Sequence, residues 1–181
     1  MKIDIGCGSK KLGPDWIGVD QYPMNGVDFV VNFAKDPLPF ENESVDEVYC
    51  SHVLEHLTNL NDKWERIHLF NEVYRVLKEG GRAKFIFPHW CSQRYYGDPT
   101  HKEPFSEMGF LYLAREWRQV HAPHADISWN KCGYDCDFTT SLAVTLRADV
   151  AAMAGPDQQL SMMNYKDACE DIIADMVKIG I

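Results

Sequence analysis

The fold is decided by the N-terminal stretch Ile3-Asp4-Ile5-Gly6-Cys7-Gly8-Ser9. Its apolar residues predict a short buried strand, and the glycines after it allow a tight turn that approaches a ligand without an intervening Cβ atom. Gly-x-Gly alone is a weak signal, and an ordinary tight turn explains it equally well. The interpretation therefore depends on the segments that follow.

Strand-like and helical segments alternate after this stretch. The predicted strands are Lys2–Ile5, Trp16–Val19, Val27–Val31, Val45–Cys50 and Ala83–Phe87. A helix is predicted over Asp62–Glu79, because apolar residues recur there every three or four positions and Gly80-Gly81 follows. This alternation predicts an α/β fold with a doubly wound, mostly parallel sheet and helices on both faces.

The C-terminal half continues the same kind of pattern. A helix is expected to begin at Ser106, with Phe105 and Phe110 forming a hydrophobic staple across its N-terminus. Phe138–Arg147 predicts a strand and Asn164–Lys178 a final amphipathic helix. We expect one domain over residues 1–181, in two parts, 1–90 and 91–181.

Turn-forming and polar residues follow five of the predicted strands. They are Gly6 and Gly8, Asp20, Asn32, Ser51 with His52, and Pro88 with His89. Ligands of open parallel sheets bind at the carboxyl ends of the strands, so these residues predict one site built from five loops. Each also has a structural interpretation as a turn residue.

The spacing around the glycines disfavours a dinucleotide cofactor. Lys11 stands where the third glycine of a dinucleotide fingerprint would be. Asp20 follows Gly8 too closely for a full crossover helix and a strand, so the helix N-terminus that normally holds a pyrophosphate is reduced. A cofactor without phosphate is favoured over NAD or FAD.

Five motifs in order resemble those of class I S-adenosylmethionine-dependent methyltransferases, which have a Rossmann-like sheet. Together they cover about residues 1–90. They are Ile3-Asp4-Ile5-Gly6-Cys7-Gly8-Ser9, Trp16-Ile17-Gly18-Val19-Asp20, Asp36-Pro37-Leu38-Pro39-Phe40 with Ser44-Val45-Asp46-Glu47-Val48, Ser51-His52-Val53-Leu54-Glu55-His56-Leu57, and Glu72-Val73-Tyr74-Arg75-Val76-Leu77-Lys78-Glu79-Gly80-Gly81.

The resemblance implies S-adenosyl-L-methionine as cofactor, S-adenosyl-L-homocysteine as product, and a set of cofactor-binding residues. The expected set is Asp4, Gly6, Cys7, Gly8, Asp20, Gln21, Asn32, Phe33, Ser51 and His52. Asp20 would bind the ribose hydroxyls, Asn32 and Phe33 would flank the adenine, and Ser51 with His52 would border the sulfonium. The chain departs from the family in its shortened first crossover, in Asn32 where an acid is commoner, and in lacking a helix before the first strand.

The acceptor side is less defined. Pro88-His89-Trp90-Cys91-Ser92 and Gly97–Ser106 resemble a segment of short methyltransferases, some of them linked to surface-sugar biosynthesis. A hydroxyl acceptor would benefit from a base, and His89, Asp98 and His101 are the candidates. Each has a structural alternative, as a turn residue or a loop hydrogen bonder, and His56 is interpreted as a helix-end hydrogen bonder.

A zinc site is the competing interpretation of one C-terminal segment. His121, His124, Cys132 and Cys136 are ligand types that zinc uses, but their order matches no established spacing. Two loop histidines beside buried cysteines are the simpler explanation, and no metal ligand is assigned.

Composition and net charge limit the classes of function that we expect. A formal charge of −9 without a cluster of lysines and arginines disfavours nucleic acid. We expect a methyltransferase acting on a small molecule or a glycan-type hydroxyl. The alternatives are a non-catalytic scaffold on the same fold and a protein or nucleic-acid methyltransferase. With no apolar run long enough to span a membrane and no signal-peptide pattern, a cytoplasmic location is expected. The oligomeric state stays open.

Overall fold

The computed structural model describes residues 1–59, 64–125 and 133–180. Its strands are β1 (Lys2–Ile5), β2 (Trp16–Asp20), β3 (Phe29–Val30), β4 (Val45–Ser51), β5 (Leu77–Pro88), β6 (Phe138–Leu146) and β7 (Cys169–Lys178). Its helices are α1 (Glu65–Val76), α2 (Gln93–Gly97), α3 (Glu107–Leu111), α4 (Arg115–His121), α5 (Ala148–Ala151) and α6 (Gly155–Asn164), with a 3-10 turn at Leu54–His56.

All seven strands form one sheet in the order β3-β2-β1-β4-β5-β7-β6. The first five strands pair in parallel, and β7 runs antiparallel between β5 and β6. Strand β1 lies between β2 and β4, so the direction of strand progression reverses there, and such a switch point opens a crevice at the carboxyl edge. The predicted α/β fold with a mostly parallel, Rossmann-like sheet is confirmed.

The core lies between the sheet and α1. Ile3 and Ile5 of β1 are fully buried, as is Phe85 of β5. Phe70 of α1 packs on Phe85 with ring centroids 5.4 Å apart. The apolar stripe that predicted the helix is therefore the surface that covers the sheet.

The first crossover contains no helix. Residues 6–15, all of which the structure describes, form turns. The Asp4 carboxylate holds this loop by accepting a hydrogen bond from the Leu12 amide at 2.7 Å. Asp28 accepts one from the Gly18 amide, also at 2.7 Å, and forms an ion pair with Lys11. Side-chain to main-chain bonds thus replace helical packing here, as the short spacing had predicted.

Helix α1 is shorter than the predicted Asp62–Glu79. Its predicted first residue lies outside the described residues, and the helix ends at Val76. Leu77 is extended and pairs with Val45 of β4, because this fully buried leucine satisfies a strand as well as a helix stripe. Gly80, with a φ of 72°, lies within β5 instead of ending the helix.

The predicted helix over Asn164–Lys178 is wrong. Residues Cys169–Lys178 form β7, which pairs with β5 on one side and β6 on the other. Ile172, Ala174 and Met176 are buried on one face, and a spacing of four between the first and last fits the two-residue period of a strand as well as a helix. The other face of β7 mixes apolar residues with Asp171 and Asp175, so polar and apolar residues do not alternate along the segment, which concealed the strand period.

The other predictions for the C-terminal half are confirmed in part. The strand over Phe138–Arg147 is confirmed as β6. Ser106 precedes α3, and Phe105 contacts Phe110 with ring centroids 5.0 Å apart, so the staple is present, although the Ser106 hydroxyl makes no capping bond. Helix α6 was not predicted.

The sheet face opposite α1 is partly uncovered. An open concavity of about 740 Å³ lies over it, with Trp16, Tyr49, Lys84 and Thr139 among its walls. No described helix is long and apolar enough to cross a membrane.

Candidate functional site

A cavity of about 480 Å³ opens at the carboxyl edge of β1, β2 and β4. Its lining comprises Gly6, Asp20, Gln21, Tyr22, Phe33, His52, Val53, His56, Leu57, Thr100 and Lys102. Gly6, Asp20, Gln21, Phe33 and His52 belong to the predicted cofactor set. The loops after four strands and one segment of the C-terminal half therefore meet at one place.

Glycine is required where the first loop leaves β1. Gly6 has a φ of 72°, and a Cβ atom on it would lie 2.2 Å from Cγ2 of Val53. Gly8 has a φ of 57°, but no heavy atom lies within 4 Å of the position its Cβ would take. Gly6 thus allows close packing against the loop after β4, while Gly8 leaves open space beside the backbone.

The Asp20 carboxylate is held in place at the end of β2. One oxygen accepts a hydrogen bond from the Gly8 amide at 2.9 Å, and the other accepts one from the Tyr22 amide at 3.1 Å. Each carboxylate oxygen can accept a further bond. This nearly buried side chain is therefore preorganised to bind two hydroxyl groups in the cavity.

Asp4 and Cys7 support the loop from outside the cavity lining. Burial raises the pKa of the Asp4 carboxyl, against the opposing effect of its bond from Leu12. Burial, with Asp4 and Asp20 nearby, raises the pKa of the Cys7 thiol to about 11. Cys7 is therefore a protonated thiol at neutral pH.

The remaining predicted cofactor residues lie around the cavity. Phe33 lines it and is otherwise buried in the core. The neighbouring Asn32 has a buried side-chain oxygen, Oδ1, without a hydrogen-bond partner. Ser51 is the last residue of β4 and directly precedes His52, but it is not part of the lining.

His52 has a strained backbone conformation, with a φ of 55°. Its Nδ1 lies 3.2 Å from Oε1 of Glu55, and this bond raises the pKa of the imidazole. Strain of this kind at a non-glycine residue is concentrated at functional sites, because the surrounding structure must hold it. The loop after β4 therefore presents an oriented imidazole to the cavity.

His89 is placed away from the lining. Its Nε2 bonds Glu107 at 2.9 Å and its Nδ1 lies 3.0 Å from Sγ of Cys91. Both ring nitrogens of this buried imidazole have protein partners, so the structure places it in a link between β5 and α3.

Asp98 and His101 lie next to residues that line the cavity. Thr100 and Lys102, on either side of His101, are part of the lining. Asp98 accepts hydrogen bonds from the amide and the hydroxyl of Thr100, which lowers the pKa of its carboxyl. His101 Nδ1 lies 2.6 Å from the carbonyl oxygen of Tyr95, so Nδ1 donates its hydrogen and Nε2 keeps a lone pair.

Six lining residues were not among the predicted site residues. They are Tyr22, Val53, His56, Leu57, Thr100 and Lys102. His56 ends the 3-10 turn and its Nδ1 lies 3.2 Å from Oγ1 of Thr100, so it is a turn-end hydrogen bonder that also faces the cavity. The position of His56 in the motif after β4 could have indicated that it lines the cavity. Thr100 and Lys102 reach the cavity through the tertiary structure.

The suggested zinc ligands are only partly described. Cys132 lies outside the described residues. Cys136 is buried, which raises the pKa of its thiol to about 12, and His121 ends α4 with its ring against Trp117.

The comparisons with known proteins agree with this geometry. Residues 3–85 match the profile of a family described as a methyltransferase domain. A search of curated proteins found no match. The profile covers β1 to β5 and therefore all of the loops that build the first half of the cavity.

Solved structures match over nearly the whole chain. A SAM-dependent methyltransferase from Archaeoglobus fulgidus superposes with a TM-score of 0.62 at 17% identity, covering 98% of this chain and 85% of that one. YcgJ from Bacillus subtilis superposes with a TM-score of 0.56 at 15% identity, covering 99% of this chain and 92% of that one. Geranyl diphosphate C-methyltransferase from Streptomyces coelicolor A3(2) superposes with a TM-score of 0.53 at 16% identity, covering 98% of this chain and 72% of that one.

The fold and the profile match point to the same class of protein. This chain has the fold seen in S-adenosylmethionine-dependent methyltransferases, and residues 3–85 match the profile of a methyltransferase domain. The resemblance seen in the sequence motifs to the class I enzymes is confirmed.

Proposed function

We propose that this protein transfers a methyl group from S-adenosyl-L-methionine to a hydroxyl of a small molecule or glycan. The observation that carries the proposal is Asp20, whose carboxylate is fixed by two amides and faces the same cavity as Gly6 and Phe33. A carboxylate in this position binds paired ribose hydroxyls, which S-adenosylmethionine presents and most other small electrophiles do not.

Two further features fit the cofactor. The unpartnered Asn32 Oδ1 is an acceptor suited to the amino group of an adenine. The open space beside Gly8 leaves room for a ligand against the backbone. Of the ten residues expected to bind the cofactor, Gly6, Asp20, Gln21, Phe33 and His52 line the cavity, and Cys7, Asn32 and Ser51 each adjoin one of these in sequence.

When bound, the cofactor supplies a methyl carbon already activated by the sulfonium. The protein then has to align the acceptor and exclude water. His52 and His56 line one wall of the cavity, and Thr100 with Lys102 line another. We place the acceptor at this end of the cavity, beside Asp98 and His101. Both ring nitrogens of His89 already have protein partners, so His89 can act as the base only if α3 moves.

The acceptor class follows from size and charge. A cavity of about 480 Å³ is within the range that holds small molecules, and the acceptor must share it with the cofactor. The chain's formal charge of −9 opposes a polyanionic acceptor such as nucleic acid. A small hydroxyl compound or a sugar unit fits both observations.

One observation favours a second candidate, a scaffold that has lost catalysis. The first crossover, residues 6–15, contains turns where a helix would support the cofactor loop. The hydrogen bonds from Asp4 and Asp20 compensate for that helix, so the enzyme is the preferred proposal.

Isothermal titration with S-adenosylmethionine and S-adenosylhomocysteine tests the proposal. We expect binding by the wild type, and at least a tenfold loss in Asp20→Ala, because a buried charged hydrogen bond is worth about 1.5 to 3 kcal/mol. The exposed carboxylate variant Asp36→Ala is the matched control and should bind normally. Folded wild-type protein that binds neither ligand would support the scaffold.

A further inference from the structure

Three metal-ligating side chains meet beside the cavity. Glu55, His56 and His101 each offer a ligand atom, and these three atoms lie within 4.8 Å of one another. Glu55 and His56 belong to the 3-10 turn after β4, whereas His101 comes from the loop before α3. Within residues 1–59, 64–125 and 133–180 this is the only group of its kind.

Glu55 carries a carboxylate oxygen with no partner. Its side chain is 1% exposed, and Oε2 accepts no hydrogen bond. The other oxygen, Oε1, lies 3.2 Å from Nδ1 of His52 and 4.0 Å from Nε2 of His101. A buried carboxylate oxygen left without a donor is energetically unfavourable, so a cation or a hydrogen-bond donor bound here would stabilise it.

The nearby side-chain cations are directed elsewhere. Arg66 donates to the carbonyl oxygens of Leu54 and Glu103. Lys102 forms an ion pair with Glu65 at 3.1 Å. Neither supplies the missing partner of Glu55 Oε2.

The His101 imidazole is oriented as a metal ligand would be. Its Nδ1 hydrogen is donated to the Tyr95 carbonyl at 2.6 Å, and its Nε2 is therefore an unprotonated lone pair in the neutral ring. Metal-bound histidines usually donate their other ring N–H to a carbonyl or carboxylate in this way.

His56 is oriented by a similar chain of bonds. The Thr100 hydroxyl gives its only hydrogen to Oδ1 of Asp98 at 2.7 Å. At 3.2 Å from His56 Nδ1, the Thr100 oxygen must then accept the imidazole hydrogen, which leaves Nε2 of His56 as the lone pair. The two rings lie with centroids 4.8 Å apart.

We propose that Glu55, His56 and His101 bind a divalent transition-metal ion such as Zn²⁺ at the wall of the cavity. Two imidazoles and one carboxylate form the ligand set of zinc sites that keep an open position. The three ligand atoms lie within 4.8 Å of one another, and Glu55 Oε1 is 4.0 Å from His101 Nε2. Ligands of tetrahedral zinc are roughly 3.3 Å apart, so the three side chains must move closer together to complete the site.

An ion at this position could bind a ligand inside the cavity. His56 and Thr100 line the cavity, so a ligand on the open coordination position would lie inside it. If the proposed function is correct, this ligand is an oxygen of the methyl acceptor, and only this last step rests on that proposal. The acceptor would then be a hydroxyl compound that can coordinate a metal.

Cobalt titration tests the site. Wild-type protein treated with a chelator is titrated with Co²⁺ and followed by its visible absorption, then competed with Zn²⁺. We expect one site per chain with tetrahedral or five-coordinate bands, displaced by zinc. His56→Ala and Glu55→Gln should weaken Co²⁺ binding by about tenfold or more.

The matched control is His68→Ala. His68 lies on α1, where its Nε2 contacts the carbonyl of Asp36, outside the cluster. This variant should bind Co²⁺ as the wild type does. Circular dichroism shows which variants are folded.

The outcomes separate this inference from the proposed function. No Co²⁺ or Zn²⁺ binding by folded wild type, or equal binding by His56→Ala, overturns the metal site. Binding of S-adenosylhomocysteine is measured on the wild type and on His68→Ala, where it should persist, and on Asp20→Ala, where it should be lost. Metal binding without cofactor binding would leave the site standing and sink the proposed function.

Discussion

At the scale of single residues, backbone conformation shapes the cavity. Gly6, Gly8 and His52 all have positive φ angles, at 72°, 57° and 55°. Two of the three are glycines that the sequence had singled out, since glycine is the usual residue in this region of conformational space. The third is a histidine whose strain no sequence pattern indicated.

Gly6→Ala is expected to disrupt the cofactor end of the cavity. The new methyl group would lie 2.2 Å from Val53 Cγ2, and alanine is strained at this φ, by about 1 to 3 kcal/mol. We expect a lower melting temperature and loss of the thermal shift produced by S-adenosylhomocysteine. Gly97→Ala is the control, because nothing lies within 4 Å of its Cβ position. Equal behaviour of both variants would contradict this account of Gly6.

The Cys7 thiol is expected to be unreactive despite its place in the glycine loop. Its pKa of about 11, raised by burial and by the two nearby aspartates, leaves little thiolate at neutral pH. Iodoacetamide should label it at least about tenfold more slowly in the folded protein than in urea at pH 7.5. The rate should rise steeply up to pH 10. Peptide mass spectrometry measures it, and fast labelling at neutral pH would refute the raised pKa.

At the scale of elements, α3 is tied to the end of β5 by one partly buried pair. Glu107, the first residue of α3, bonds Nε2 of His89 at 2.9 Å. This bond lowers the pKa of the Glu107 carboxyl, and Cys91 and Cys169 are the other titratable groups nearby. The helix has five residues, so packing and this pair hold it more than its own hydrogen bonds do.

Glu107→Gln is therefore expected to lower stability in a pH-dependent way. Because the folded-state pKa is depressed, the stabilisation is present above about pH 4.3, the usual value for glutamate, and is lost as pH falls through the folded value. Urea unfolding should show a loss of about 1 kcal/mol at pH 7 that shrinks towards pH 3.5.

The control for this experiment is Glu116→Gln. Glu116 is an exposed acid in the first turn of α4, so it shares the interaction with a helix dipole but not the bond to a histidine. An equal, pH-independent loss in both variants would show that the His89 bond contributes nothing.

At the scale of the whole molecule, the last strand completes the sheet. β7 comes from the C-terminal end of the chain and lies between β5 and β6, with seven residue pairs to β5, from Arg82↔Val177 to Pro88↔Asp171. Residues 1–90 therefore share one sheet with strands from the C-terminal half.

Ala174→Asp is expected to abolish folding. Ala174 is fully buried in β7, and an unpaired charge there costs more than about 4 kcal/mol, comparable to the whole stability of a domain. Its neighbour Asp175 faces the opposite side, pairs with Lys84, and is 56% exposed. Asp175→Ala should fold normally. Circular dichroism and urea unfolding compare them, and a cooperatively folded Ala174→Asp would show that β7 is dispensable.

The sequence by itself determined the parallel part of the sheet, the loops at the carboxyl ends of its strands and the reduced first crossover. Each depends on local signals: apolar runs ending in glycine or acid, and the distance from Gly8 to Asp20. Neighbours in sequence are enough to set these features, because strand ends and tight turns restrict the backbone over a few residues.

Only the tertiary structure decided where α1 ends, that Cys169–Lys178 is a strand, and which distant residues reach the cavity. Leu77 leaves the helix because it can pair with Val45, and residues 169–178 are extended because β5 and β6 offer partners on both sides. Likewise, His101 meets Glu55 and His56 through the packing of separate segments. Pairing partners and burial lie far apart along the chain, and their free energy outweighs the local preference of a short segment.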